Sequence, residues 1–182
     1  MRTALLALAL LILPAVAATQ VTDTDGWNGA KWGMTVAQVK SSITYRIERD
    51  SQFRYAGKPS SLFRTAEPFK MLDAPFWGSF LFSPDDKLVS VELRIDVHFF
   101  DSTHSQSELF GRFKQWLVEK YWKPAFTDDN GRTAVWTFPL TSIRLQWTEF
   151  GGHTFMAVTY NQADKKLPGW LDRRQLSFRH WA

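Results

Sequence analysis

Residues 88–100 read LVSVELRIDVHFF, and their alternation constrains this chain more than any other feature. Val89, Val91, Leu93, Ile95, Val97 and Phe99 fall on one side of an extended strand, and Ser90, Glu92, Arg94, Asp96 and His98 fall on the other. A period of two held over this length suits a strand with one face against a core. FWGSFLF (76–82) and the polar turn SPDDK (83–87) come just before it and complete an antiparallel hairpin. TAVWTF, SIRLQWTEF and TFMAVTY follow as three further strands, with DDNG ahead of the first and PLTS and GGH between them.

Two helices interrupt the strands. In KWGMTVAQVKSSI (31–43), Thr35 has the chemistry of an N-cap, and Gln38 stands three residues on, where its side chain reaches back to the cap backbone. Met34 and Val39 take the positions of a hydrophobic staple, and Val36, Val39 and Ile43 share a face, so a helix is expected from about Val36 to Ile43. Ser105 with Glu108 repeats the capping pattern. Leu109, Phe110, Phe113, Trp116, Leu117 and Tyr121 follow at helical spacing until Pro124 forbids continuation.

Residues 44–74 carry weaker signals. TYRIERDSQFRYAG alternates loosely, and KPSSLFRTAEP reads as loop, with Gly57, Pro59 and Pro68 as punctuation. Thr19–Asn28 is polar and reads as loose, so 19–30 is expected to be a flexible segment. The expected class is α+β, with two capped helices packed on antiparallel sheet over residues 31–162. That body is either one domain or a tandem of half-repeats at 31–100 and 101–162.

The first residues have the form of an export signal. Arg2 supplies the positive end, Leu5–Leu13 the short apolar core, and Ala15-Val16-Ala17 after Pro14 the small residues a signal peptidase selects. The expected signal is 1–18, with cleavage near Ala17 or Ala18 and delivery to the periplasm or the medium. The apolar run falls short of the ~20 residues a membrane span requires, and no later stretch is long and apolar enough. The chain has no cysteine, so it carries neither disulfide nor lipid-bearing thiol, and stability must come from its core. Nine Trp and fifteen Phe supply that core with large apolar area.

The formal net charge is +4. Its excess sits at the C-terminus, where Lys165, Lys166, Arg173, Arg174 and Arg179 outnumber Asp164 and Asp172 and the rest of the mature chain is near balance. A balanced, exported body argues against nucleic acid as a partner. The tail 163–182 combines Trp170, Arg173, Arg174, Arg179 and Trp181, an aromatic and cationic set suited to an envelope protein, a glycan or an anionic lipid. The sharpest metal candidate is Asp96, His98, Asp101 and His104 in DVHFFDSTH, although no known ligand spacing is matched and the expectation is no bound metal or cofactor. The pairs Asp85/Asp86 and Asp128/Asp129 lie in turns, where Asp is favoured for backbone reasons. No G-x-S-x-G elbow is present, and no residue is assigned a catalytic role. The expected function is non-catalytic binding. The alternatives are a hydrolase or metal-dependent enzyme whose site assembles in three dimensions, or a carbohydrate-binding module using exposed tryptophans.

Gly33-Met34-Thr35 followed by Gln38-Val39 resembles the GMT-x-x-Q-V start of the SmpA/OmlA, or BamE-like, envelope proteins. W-G-M-[ST] before a helix is also similar to a broader set of exported bacterial proteins of unknown function, whose second helix tends to end in Tyr-Gly-x-Pro. Here that ending is Tyr121-Trp122-Lys123-Pro124, with Trp in place of Gly. The order of elements is similar to the tandem helix-plus-sheet fold of beta-lactamase inhibitor protein. These resemblances imply a small binding or scaffold module. They carry over no functional residue, because the shared positions cap a helix.

Overall fold

The computed structural model describes residues 23–51, 61–95, 106–150 and 153–163. Its elements run β1 (Gly26–Trp27), β2 (Ala30–Lys31), α1 (Val36–Ser42), β3 (Ile47–Arg49), β4 (Ser61–Thr65), β5 (Phe69–Met71), β6 (Ala74–Phe82), β7 (Leu88–Ile95), α2 (Gln106–Tyr121), β8 (Phe126–Thr127), β9 (Thr133–Thr137), β10 (Thr141–Phe150) and β11 (His153–Gln162). The expected export signal lies outside the described residues. Within them no helix is long and apolar enough to cross a membrane.

The expected α+β class is corrected: the fold is mostly β. A nine-stranded antiparallel sheet has the order β3-β4-β6-β7-β11-β10-β9-β8, with β5 also paired to β6, and β1 and β2 form a separate hairpin. The physical reason lies in the short strands. KPSSLFRTAEP, expected as loop, contributes β4, because Phe63 and Thr65 point into the core beside β6. Neither β3 nor β5 is long enough to display a period. The first helix has seven residues and fully buries one of them, Val39, so it decorates the sheet more than it forms a layer.

The alternating run takes the centre of the sheet. Val91, Leu93 and Ile95 face the same side as Phe80 and Phe76 on β6 and Tyr160 and Val158 on β11. Ile143, Leu145 and Trp136 extend that face toward β9. A register shift between Leu81 and Phe82 breaks the alternation at its start, so Leu88 and not Val89 joins the core. The second helix lies across this face. Leu109, Phe110, Phe113, Leu117 and Tyr121 are buried, with Phe113 packed 4.9 Å from Phe76 and Phe110 5.7 Å from Trp147 between ring centroids.

Trp122 ends this helix with φ +66°, the left-handed conformation that glycine usually supplies at such a position. Its carbonyl accepts a hydrogen bond from the Trp136 indole at 2.7 Å, while its own ring is 68% exposed.

The stretch 31–35 works as a strap. The Gly33 N–H donates to the Leu88 carbonyl and the Leu88 N–H to the Met34 carbonyl, at 3.0 and 2.8 Å. The Trp32 indole donates to Thr141 Oγ1 at 2.8 Å, and that hydroxyl donates to the Thr24 carbonyl. The capping box is present. Thr35 Oγ1 accepts from the Gln38 N–H at 3.3 Å, and Gln38 Oε1 accepts from the Thr35 N–H at 2.9 Å.

Candidate functional site

The expected binding residues Trp170, Arg173, Arg174, Arg179 and Trp181 lie outside the described residues, as do Asp96, His98, Asp101 and His104. Among the described residues no three His, Cys, Asp or Glu side chains are grouped to hold a metal. Asp86 and Asp128 serve their turns. Asp86 donates its N–H to the Ser83 carbonyl at 3.0 Å, and Asp128 Oδ1 accepts from the Thr133 N–H at 2.9 Å.

The sheet face away from the core mixes polar side chains with Trp77 and Leu81, and part of it is buried. Ser90 donates to Asn161 Oδ1 at 2.8 Å, and both residues are buried. Glu92 pairs with Arg94 at 2.5 Å, each side chain 13% exposed, and Arg64 pairs with Asp50 at 2.6 Å. Burial works against the charge of Arg64 and lowers its pKa, with Asp50 opposing that shift. These charges are neutralised within the fold.

A cleft of about 220 Å³ opens on the core side instead, between the β1–β2 hairpin, β5 and the C-terminal half of α2. Each wall has a local cause. Asn28 and Gly29, at φ +46° and +89°, make a two-residue turn between Trp27 and Ala30, the twist that a tight hairpin requires. That turn delivers the Trp27 ring, 8% exposed, to Tyr45 at 6.1 Å in a stacked pair and to Phe69 at 5.6 Å. Tyr45 and Phe69 are themselves 4.5 Å apart. Leu72 and Asp73, at φ +50° and +65°, close β5 onto β6 by the same kind of turn. Arg112 on α2 clamps that turn, donating to the Leu72 carbonyl at 3.3 Å and lying 3.5 Å from Asp73.

The third wall comes from Trp116, Lys120 and Tyr121. The Lys120 ammonium lies 5.2 Å from the Trp116 ring centroid and 5.1 Å from that of Tyr121, within cation–π range. The described lining therefore has five aromatic rings and two lysines, Lys70 and Lys120, with no carboxylate, histidine or serine. Such a lining holds an apolar group by contact and favours a negative charge nearby. Its volume lies below the ~300–1,000 Å³ of sites that enclose drug-sized ligands, so it fits one side-chain-sized group.

Trp116 and Tyr121, expected from the sequence on the face of the second helix, come to this cleft, and Trp32 anchors its hairpin. Three cleft residues, Trp27, Tyr45 and Phe69, come from segments expected to be loose or weakly ordered. One signal for them was present: Asn28-Gly29 between Trp27 and Ala30 is the turn dipeptide of a two-residue hairpin. Compared with family models, with curated proteins and with solved structures, the chain matches none.

Proposed function

We propose that this is a non-catalytic binding protein of the bacterial envelope, exported by its N-terminal segment, that seats an aromatic or apolar group of its partner in the cleft. The observation that carries this reading is the convergence of Trp27, Tyr45, Phe69, Trp116 and Tyr121 on one small opening from four segments: β1, the α1–β3 connection, β5 and α2. Aromatic contacts are worth ~0.5–1.5 kcal/mol per pair beyond area burial. A single inserted ring would therefore bind weakly by itself and serve as an anchor within a larger contact. The basic aromatic tail, with Trp170, Arg173, Arg174, Arg179 and Trp181, is proposed as a second contact.

N-acetylphenylalaninamide is the simplest probe. Titrated into the protein, it should move the indole N–H resonances of Trp27 and Trp116 and leave that of the buried Trp136 in place. Trp116→Ala should weaken the effect several-fold while the protein stays folded. Uniform small shifts across all indoles would remove the cleft from consideration. Removing residues from Leu167 onward should leave the body folded and the probe response intact. N-terminal sequencing of the exported product should begin just after Ala17 or Ala18.

A further inference from the structure

Among the described residues β5 has a strand on one side, β6. Because Leu72-Asp73 is a two-residue turn, Met71 and Ala74 form the first hydrogen-bonded pair of the hairpin. Bonded and non-bonded pairs alternate along an antiparallel ladder, so Lys70 and Pro75 are a non-bonded pair, as Pro75 with no N–H requires. The N–H and C=O of Lys70 therefore point away from β6. Among the described residues β6 is the one strand beside β5, so these groups face an open edge, and Lys70 and Met71 border the cleft.

Side chains alternate across a strand. A residue on an added strand that exchanges hydrogen bonds with Lys70 carries its side chain on the Lys70 face. The residue before or after it carries its side chain on the Phe69 face, where the aromatic rings stand. Lys70 is exposed and forms no ion pair with any described residue. An acidic side chain directly across from it would be a favourable cross-strand pair. Resting on the proposed role of the cleft, we infer that its ligand is an extended peptide that adds a strand to β5, with an acidic residue opposite Lys70 and a neighbouring aromatic residue in the cleft. Strand addition of this kind takes affinity from the main chain and specificity from alternate side chains.

The probe is the peptide Ac-Glu-Phe-Glu-NH2, followed through the Trp27 and Trp116 indole resonances. N-methylation of both Glu residues removes the N–H that would bond to Lys70 and should weaken binding about 5-fold, the equivalent of one hydrogen bond. N-methylation of Phe alone, whose N–H points outward in this register, should change it little. Lys70→Glu should weaken this peptide several-fold and make Ac-Lys-Phe-Lys-NH2 the better ligand. Equal affinity for all three methylation states would overturn strand addition and leave β5 as a short, lysine-guarded edge, with the cleft still answering to N-acetylphenylalaninamide. No response to N-acetylphenylalaninamide or to any of the peptides would remove the cleft itself, and this inference with it.

Discussion

Gly26→Ala puts the largest local demand on the cleft. A Cβ at Gly26 would stand 1.9 Å from the Ala30 carbonyl oxygen and 2.8 Å from both the Ala30 carbonyl carbon and Lys31 Cα. All three are backbone atoms of the paired strand, so no change of rotamer relieves the contact. If β1 and β2 shift to make room, the cost is that of overpacking, about 1–3 kcal/mol. If the hairpin peels away, Trp27 leaves its site. An aromatic side chain burying about 200 Å² at about 25 cal/mol per Å² sets that limit near 5 kcal/mol. The expected loss is about 2–4 kcal/mol, read as a lower urea midpoint at an unchanged slope. The sheet should keep its far-ultraviolet circular dichroism while N-acetylphenylalaninamide no longer moves the Trp116 indole. Stability within about 0.5 kcal/mol of the parent, with normal probe binding, would refute the view that this backbone contact builds the cleft.

Gly111→Ala should act in the opposite direction. This glycine lies within α2, and an added Cβ there meets nothing within 4 Å, so thermal unfolding should show a gain of about 0.5–1 kcal/mol. Thr35→Ala removes one half of the capping box and should cost about 1 kcal/mol in urea unfolding, with cleft binding unchanged. Burial, assisted by Tyr121, raises the Tyr160 phenol well above its usual range. In the unfolded chain it ionises near pH ~10 while the folded chain keeps it neutral, so its contribution to stability is lost as pH rises above ~10. Tyr160→Phe should flatten that alkaline decline when urea midpoints are compared between about pH 9 and 11.

Long elements were legible in the sequence because burial imposes a period on them. Val91, Leu93 and Ile95 alternate since one face of β7 meets the core. Leu109, Phe113, Leu117 and Tyr121 recur at helical spacing because α2 rests one face on the sheet. Thr35 and Gln38 were legible because a cap is a local bargain between neighbours. The three-residue strands β3 and β5 have no room for a period, and their pairing is decided by β4 and β6. Burial of Trp27 was hidden because its partners Tyr45, Phe69 and Phe80 are remote in sequence. Trp122 takes a left-handed conformation where glycine would be easier, and there its carbonyl accepts from the Trp136 indole, a partner remote from any local signal.

The pairing of β7 with β11 sets an order of events. Ser90 and Asn161, which share a buried hydrogen bond across it, are 71 residues apart in sequence, and this is the seam at which the two runs of strands join. A chain made from its N-terminus has β7 complete long before β11 follows. During that interval β7 presents a bare, largely apolar edge, open to any strand that meets it. The wait scales with chain length and not with the strength of the finished fold. A product cut short before His153 would therefore lack β11 and leave β7 with a vacant edge.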